Sequence, residues 1–317
     1  MKGEVYSQSV CLLNTVAEAY YIQRKTQTEI SKELGISIPT VSRLARKAVD
    51  DRVIRFQMDT LSLKCLEMER TMEEKYGIRN VMVVPVRHED ELECKRTVAL
   101  ECSRYLQRKL DDNGVLGLNW GGTMYHMIEL LNPCLKKNVK IVTMHGSLKE
   151  CGSEYDVGYL VKRAAMSFGG QKIILGIQGY VKDEKMLQKI MQEQRFQKVE
   201  KIFQEITVSV AGIGVFYPKL CSPLRCYMKE EEWEELQNRG VCCDFMLHFI
   251  DRAGKECKSQ IKNRTLAIDL DHYRKIPCKV VAASGRHKAS GVLSILKGKL
   301  ADVLIIDVFL AESVIGM

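Results

Sequence analysis

The sequence has few of the features that mark fibrous, secreted or membrane proteins. Only 6 prolines and 22 glycines occur in 317 residues, which excludes a collagen-like or proline-rich linker protein. The longest apolar runs, such as residues 81–85 and 303–306, are far shorter than the ~18 residues that cross a bilayer. The N-terminal residues lack the sustained apolar core of a signal peptide. We therefore expect a cytoplasmic protein without a membrane segment.

Signatures of common metal and catalytic sites are also missing. None of the twelve cysteines lies in a C-x-x-C pair, and the six histidines form no H-E-x-x-H motif. The nearest groupings, Cys221 with Cys226 and Cys242 with Cys243, lack the spacing of a zinc site. We interpret the cysteines as small buried hydrophobic residues in a reducing compartment. We expect no metal, no cofactor and no catalytic residue.

What is present is the composition of a folded chain with more than one unit. Apolar residues make up 46% of the chain, and its length exceeds the ~250 to 300 residues at which single cores stop growing. The net charge of +8 permits contact with a polyanion without requiring it. Residues 1–58 hold nine basic and six acidic residues, so +3 of the excess lies in under a fifth of the chain. This charge distribution sets the first segment apart.

Residues 1–58 contain the pattern of a helix-turn-helix. After a first helix over residues 9–22, Thr26 or Thr28 can cap a short helix that ends at the turn residue Gly35. Ser37 can cap the next helix, whose first turn holds Pro39. Two short helices joined by such a turn are typical of this motif. An ordinary helical hairpin is the alternative.

The second helix favours DNA binding, because a polar and basic face remains beside its apolar stripe. Residues 38–58 contain five Lys or Arg and two Asp. A hydroxyl-rich end followed by basic residues suits a recognition helix that meets base edges first and phosphates at its flanks. The alternating residues 53–58 predict a strand, or wing, beside it. The DNA-binding candidates are Thr28, Ser37, Ile38, Pro39, Thr40, Ser42, Arg43, Arg46 and Lys47.

The rest of the chain predicts an α/β fold behind a linker. Residues 59–77 predict a charged linker helix, with a dimer contact or a solvated connecting helix as alternatives. Within 78–317, short β runs alternate with amphipathic helices, which predicts right-handed βαβ units and a mostly parallel, Rossmann-like sheet. Residues 243–268 instead predict an inserted antiparallel hairpin with its turn at 252–254, and residues 183–203 predict one helix.

Four loops at the predicted carboxyl ends of strands are rich in glycine and polar groups, and ligands bind there in open parallel sheets. The strongest is 119–123, where glycines open a helix whose N-terminus suits an anion such as phosphate. It is neither a dinucleotide fingerprint nor a P-loop, and a structural glycine turn is the alternative. The loop candidates are Asn119, Gly121, Gly122, Thr123, Met124, His145, Gly146, Ser147, Gly212, Gly214, Arg286, His287 and Lys288.

Two charged residues among the candidates carry particular expectations. A lysine at a helix N-terminus opposes the helix dipole, and a bound anion would reverse that cost, so we favour Lys288 as a ligand over a solvated lysine. Asp244 lies with Met246 in an apolar run, and its carboxylate could accept hydroxyl protons from a polyol or cap a turn. We include both Asp244 and Met246 in the predicted site.

These residues together resemble the SorC type of sugar-binding transcriptional regulators. The resemblance rests on ISIPTVSRLARKA, GLNWGGTM, residues 143–147, the AGIG run, the strand that bears Asp244 before FIDRAG, and SGRHKASGVLSILKG with ADVLIID. It covers essentially the whole chain in order. It implies a C-terminal domain similar to sugar-phosphate isomerases, a phosphate loop at Gly121, Gly122 and Thr123, a hydroxyl-binding Asp244, a ligand lysine at Lys288, and a tetramer that holds the operator.

Two classes of function follow from these observations. The favoured one is a regulator that binds operator double-stranded DNA as a homo-oligomer, a dimer or tetramer, and responds to a phosphorylated sugar or polyol. The alternative is a sugar-phosphate isomerase-like enzyme with a DNA-binding head, for which Asp244 and Asp307 are the nominal proton-transfer groups. A pure oligomeric scaffold does not account for the four loops.

Overall fold

The computed structural model describes residues 9–216 and 223–317 and divides the chain into two compact units, Met1–Thr60 and Leu61–Met317. Most of the segment predicted as a linker helix therefore belongs to the larger unit. Over both units, the described residues form thirteen α-helices. They are α1 (Val10–Ala17), α2 (Gln27–Leu34), α3 (Ile38–Asp50), α4 (Thr60–Tyr76), α5 (Glu91–Lys109), α6 (Gly122–Glu129), α7 (Val157–Phe168), α8 (Glu184–Gln192), α9 (Gln194–Phe203), α10 (Glu230–Asn238), α11 (Leu270–Arg274), α12 (Ala289–Lys297) and α13 (Val308–Ile315).

The first unit is a small helical core built around α3. Its apolar stripe, which includes Val41 and Leu44, packs against α1 and α2 and is fully buried. Thr26, rather than Thr28, caps α2 in a capping box: Glu29 N–H donates to the Thr26 hydroxyl over 3.3 Å, and Thr26 N–H donates to Glu29 Oε2 over 2.8 Å. Gly35 ends α2, as the sequence predicted. The two helices and their turn form a helix-turn-helix.

The predicted wing is wrong, because residues 53–58 form no strand. After α3 the chain turns back on itself, and Ile54 N–H donates to the Ala48 carbonyl over 2.9 Å instead of pairing with another strand. Phe56 then packs edge-on against Tyr21, with ring centroids 5.5 Å apart. The end of α3 is thus closed by a turn and an aromatic contact.

Helix α4 is fastened to the second unit along one face. Cys65 and Met72 are buried in the core of that unit. Two of its carboxylates accept backbone N–H groups of the adjacent strand: Glu73 from Val81 over 2.9 Å and Glu69 from Val83 over 2.8 Å. These bonds satisfy donors on a sheet edge that would otherwise stay open. Helix α4 is therefore an integral part of the larger unit.

The second unit is a seven-stranded parallel sheet with a smaller antiparallel sheet beside it. The main sheet has the order β1-β10-β9-β5-β2-β3-β4, and the smaller one the order β6-β7-β8. Helices separate the parallel strands, as predicted. The strands are β1 (Asn80–Val84), β2 (Val115–Leu118), β3 (Lys140–Thr143), β4 (Gln171–Ile173), β5 (Val208–Ala211), β6 (Gly214–Val215), β7 (Val241–Phe245), β8 (His248–Asp251), β9 (Cys278–Ala283) and β10 (Val303–Asp307).

The predicted antiparallel hairpin exists, but its turn was placed wrongly. Strands β7 and β8 are joined directly by Met246 and Leu247, both with positive φ, as a two-residue hairpin turn requires. The expected turn at 252–254 is a second, minor one, closed by a single bridge between Ile250 and Glu256. Met246 and Leu247 are apolar and buried. They give no turn signal in the sequence, because turns are indicated by Gly, Pro, Asn, Asp and Ser.

Two further predictions need correction. Residues 183–203 form two helices, α8 and α9, because the chain breaks at Glu193, which has an extended backbone. Ser37 begins α3 without a side-chain bond to the helix backbone, since its hydroxyl pairs with Thr40 Oγ1 at 2.9 Å. Seven of the eleven cysteines in the described residues are buried, while Cys221 lies outside these residues.

The capping box predicts a local stability effect that Thr28 does not share. We expect Thr26→Ala to destabilise α2 by about 1 kcal/mol, because it removes the hydroxyl that accepts the bond from Glu29 N–H, while the backbone N–H of residue 26 can still donate to Glu29. Hydrogen exchange in the full chain checks this: protection of the α2 amides falls about fivefold. The matched control is Thr28→Ala, whose exposed side chain leaves protection unchanged. Equal effects of the two variants would contradict the assignment of the cap.

Candidate functional site

Three of the four predicted loops meet at one cavity of about 320 Å³ in the second unit. They are residues 119–123 after β2, 212–214 after β5 and 284–288 after β9, and all three contribute to the lining. Strands β9, β5 and β2 are neighbours in the middle of the parallel sheet, so their carboxyl ends open on the same edge. The sheet order thus brings together segments that are far apart in the sequence.

Glycines shape two walls of the cavity. Gly121 has a φ of 106°, which an L side chain rarely adopts, and it turns the chain from β2 into α6. The first residues of α6, Gly122 and Thr123, line the cavity, so the positive end of the helix dipole lies beside it. Gly214 pairs with Asp244 across β6 and β7, and a Cβ at Gly214 would overlap the Asp244 carboxylate. The AGIG run is therefore the point where the chain leaves one sheet and makes room for the acid in the other.

Asp244 and Lys288 are the two charged residues of the predicted site that line the cavity. Burial raises the pKa of Asp244 to about 6, and the Lys288 cation partly opposes that shift. Burial also lowers the pKa of Lys288 to about 8, with Lys95 adding to the effect and Asp244 opposing it. The Asp244 Oδ1 atom is buried without a hydrogen-bond partner, as is Asn119 Oδ1. A ligand hydroxyl or amine could donate to either oxygen.

Sequence reasoning missed several side chains that complete the lining, among them two with basic groups. Lys95 comes from the first turns of α5 and His126 from α6, one turn after Thr123. Helical spacing from Thr123 could have indicated His126. No sequence signal marks Lys95, because α5 precedes β2 and reaches the cavity only through packing. The other missed residues in the lining are Cys151, Tyr155 and Pro223, whereas Trp120 and Ile213 lie within two of the predicted loops.

The second predicted loop, His145 to Ser147, does not line this cavity. His145 and Ser147 instead border a separate cavity of about 460 Å³ between the end of β3 and the start of α7. Burial lowers the pKa of His145 to about 4, and its Nδ1 lies 2.7 Å from the Gly146 carbonyl. The Ser147 hydroxyl donates to Asp156 over 2.6 Å. Gly146 allows close passage of residues 178–179, where a Cβ would collide with their backbone.

Four other candidates also lie outside the lining of the cavity. Met124 and Met246 are fully buried in hydrophobic cores. Arg286 forms ion pairs with Glu89 at 2.9 Å and Glu312 at 2.7 Å, so its guanidinium is engaged on the surface. His287, its neighbour, is exposed. Of the basic residues in the SGRHK segment, Lys288 alone among the described residues lines this cavity.

The DNA-binding candidates in α2, α3 and the turn between them differ in how far they are exposed. Thr40 is 8% exposed and bonded to Ser37, so its hydroxyl is turned away from solvent. Lys47 forms an exposed pair with Asp51 at 3.0 Å. The other candidates are at least partly accessible: Thr28, Ser37, Ile38, Pro39, Ser42, Arg43 and Arg46. The face that remains accessible is the polar and basic one.

Within residues 9–216 and 223–317, no cluster of three or more His, Cys, Asp or Glu side chains has the arrangement to hold a metal ion.

None of the helices in the described ranges has the length and apolar character required to cross a membrane.

The protein combines a helix-turn-helix unit with an α/β unit that has a polar cavity at the carboxyl edge of its sheet. This is the architecture of a ligand-binding, DNA-associated protein. The family model of the sugar-binding domain matches residues 62–316. The chain therefore belongs to this sugar-binding domain family, and its resemblance to SorC-type regulators is confirmed.

Curated relatives and solved structures match over nearly the whole chain. The deoxyribonucleoside regulator of Bacillus subtilis is 24% identical over 300 residues, which cover 95% of this chain and 96% of the relative. The sorbitol operon regulator of Klebsiella pneumoniae is 23% identical over 309 residues, covering 96% and 98%. The crystal structure of that full-length regulator, SorC, matches with a TM-score of 0.76 at 23% identity over 97% of this chain and 99% of its own. The fold is thus shared from the first helix to the last.

The raised pKa of Asp244 predicts that this residue destabilises the second unit. The folded state keeps the proton up to about pH 6, whereas the unfolded chain loses it near pH 4, so stability falls as pH rises between these values. We expect Asp244→Asn to be more stable than wild type at pH 7.5, by up to roughly 3 kcal/mol, with the gain vanishing near pH 4.

Urea unfolding at both pH values measures this effect. Tryptophan fluorescence reports the second unit alone, because both tryptophans, Trp120 and Trp233, belong to it. Asp111→Asn is the control, since that carboxylate is exposed. An Asp244→Asn protein that is less stable at pH 7.5 would contradict the assignment of an uncompensated buried charge.

Proposed function

We propose that the protein is a DNA-binding transcriptional regulator of carbohydrate metabolism, and that a phosphorylated sugar or polyol modulates its binding to operator DNA in the cytoplasm. The observation that carries the proposal is the joint presence of a basic, accessible α3 face and a cavity that combines a helix N-terminus with a buried acid. Relatives named as regulators of a sorbitol operon and of deoxyribonucleosides support it.

The cavity has separate features for the two ends of such an effector. The glycine turn at the start of α6, with Thr123, Lys95, His126 and Lys288 around it, suits a phosphate through backbone N–H groups and positive charge. The Asp244 carboxylate and the Asn119 amide oxygen, both unpartnered in the structure, suit the hydroxyl groups of the sugar. A buried acceptor left unpaired costs free energy, so binding a hydroxyl there is favourable.

A chain of contacts within the second unit offers a route from the cavity to α4. Arg286 lies two residues before Lys288 and pairs with Glu312 on α13, and Glu312 in turn accepts from Lys64 on α4 over 2.5 Å. Helix α4 leads directly from the DNA-binding unit. An effector that moves the segment around Lys288 would change these pairs, provided that it binds two arrangements with different affinity.

We further propose that the protein acts as a homo-oligomer, a dimer or tetramer. Paired helix-turn-helix units bind the two half-sites of an operator with matching symmetry. One relative is named as the regulator of a sorbitol operon, and an operator with two half-sites would suit a symmetric homo-oligomer. The isomerase-like alternative loses one of its nominal groups, since Asp307 is fully engaged in holding Gly285 N–H at 2.7 Å and Leu310 N–H at 3.0 Å.

The accessible face of α3 predicts the effect of removing one basic side chain. We expect Arg43→Ala to weaken operator binding by about 1 to 3 kcal/mol, because a base or phosphate contact is lost. Fluorescence anisotropy at fixed salt, with a duplex that the wild-type protein selects from a random double-stranded pool, measures the change. Lys109→Ala, on the exposed end of α5 in the other unit, serves as the charge-matched control. Unchanged affinity of the Arg43 variant would count against α3 as the recognition helix.

The cavity electrostatics predict a separation of effector response from DNA binding. We expect Lys288→Ala to lose the response to a sugar phosphate at concentrations that saturate the wild type, while operator affinity without effector stays the same. The same anisotropy assay, with a panel of sugar and polyol phosphates, measures both quantities. Lys297→Ala is the control, because this lysine lies on the exposed last turn of the same helix.

Two results would redirect this interpretation. A Lys288→Ala protein that responds at wild-type effector concentrations would remove the lysine from the binding site. NMR spectra that show conversion of a sugar phosphate by the wild-type protein would favour the isomerase-like enzyme instead.

A further inference from the structure

Two thiols from separate segments meet at the wall of the cavity. Cys151 ends the short 3-10 helix Lys149–Cys151, and Cys226 lies in the 3-10 helix Pro223–Tyr227. The two helices are in contact. The thiols also act on each other electrostatically, since Cys226 contributes to the raised pKa of the Cys151 thiol. In the sequence the two residues stand 75 positions apart, so the fold alone brings them together.

The residues next to the two cysteines hold the segments in place. The Tyr227 hydroxyl accepts a hydrogen bond from Glu150 N–H over 3.0 Å, which joins the direct neighbours of the two cysteines. Cys151 and Tyr227 pack against the same hydrophobic cluster, which contains Leu224. These contacts fix the distance between the two backbones independently of the thiols. The two cysteines therefore lie on segments that are held side by side, which a bond between their sulfur atoms requires.

The two thiols differ in a way that suits a sequential reaction. Cys226 is exposed, and its Sγ lies 3.0 Å from the Pro223 carbonyl oxygen. Cys151 is half-buried, and burial, with the nearby Cys226, raises the pKa of its thiol to about 12. The exposed sulfur is the one that a small oxidant reaches first, and the half-buried one is positioned to react afterwards.

We propose that Cys226 and Cys151 are a modification site, a thiol pair that a hydroperoxide oxidises to an intrachain disulfide. The Cys226 sulfur takes the terminal oxygen of the hydroperoxide, the O–O bond breaks, and the sulfenic acid forms with release of an alcohol or water. The Cys151 sulfur then attacks the sulfenic sulfur, the S–O bond breaks, and water leaves as the S–S bond forms. The two thiols together supply the two electrons that the hydroperoxide accepts.

The bond would act on the effector cavity, because Cys151 and Pro223 both line it. Oxidation would tie the segment at 223–227 to the segment at 149–151 and fix that wall in one arrangement. This consequence rests on the proposed function, whereas formation of the disulfide does not. An experiment on the thiols alone therefore fails or succeeds separately from any experiment on effector or operator binding.

Treatment of the full-length protein with hydrogen peroxide tests the proposal. The remaining thiols are then alkylated under denaturing conditions and the intact mass is measured. After the mass of the alkyl groups is subtracted, we expect the oxidised chain to be about 2 Da lighter than the reduced chain, because it has lost two hydrogen atoms. Peptide mapping should place the link between Cys151 and Cys226, and dithiothreitol should reverse it. Cys11→Ser, which removes the other exposed thiol among the described residues, should form the same link.

The variants that lack one partner complete the test. Cys226→Ser should form no intrachain link, and Cys151→Ser should stop at the sulfenic acid, which dimedone traps as an adduct on Cys226. Circular dichroism and Cys226→Ala guard against a folding defect. The proposal is overturned if the mapped link joins any other pair, Cys221 included, if the product is a disulfide between chains, or if Cys226 is oxidised in the wild type without forming a link.

Discussion

The cavity depends on a carboxylate that the fold buries before any ligand is present. Asp244 is 3% exposed, and one of its oxygens has no hydrogen-bond partner. A buried charge without full compensation is costly, and here the nearby Lys288 offsets part of the cost while losing solvation itself. Such uncompensated pairs are found where a ligand completes the hydrogen bonding. The lower folding stability that results from burying Asp244 is consistent with a binding role for this residue.

The position of that carboxylate follows from the way two sheets meet. The chain crosses from the parallel sheet to the antiparallel one within the AGIG run, and Gly214 leaves the space that Asp244 fills. A larger residue at 214 would displace the acid. Lys288 arrives from the opposite side, after β9, in a segment whose Gly285 is held by Asp307. The acid and the lysine are thus each placed by a local glycine and by the central strand order.

Much of this arrangement could be predicted from the sequence, because short β runs between amphipathic helices indicate the strands of a parallel sheet. The carboxyl ends of such strands lie on one edge, which is why residues 119–123, 212–214 and 284–288 converge as expected. The loop at His145 failed to converge although β3 is a neighbour of β2. Its chain bends away toward residues 177–179, and that choice depends on a backbone contact at Gly146 which no local pattern encodes.

Other features were beyond sequence reasoning because they depend on distant partners. Residues 53–58 alternate like a strand, but within the described ranges none of them pairs with a strand, and the backbone turns back toward α3 at Ile54. Met246 and Leu247 form a hairpin turn without glycine or asparagine, since the strands on both sides and the surrounding core impose it. Lys95 and His126 enter the cavity from helix faces whose orientation is fixed by packing of α5 on α6.

Arg286 shows how a residue can serve a site without lying in it. Its position in the SGRHK segment suggested an anion ligand, yet its guanidinium pairs with Glu312 and Glu89. Glu312 also pairs with Lys64 of α4 through its other oxygen, so one carboxylate links the segment that carries Lys288 to the helix that follows the DNA-binding unit in the chain. Each exposed pair contributes little stability by itself. A weak, shared contact of this kind can be rearranged at small cost, which is what a ligand-driven change between two arrangements requires.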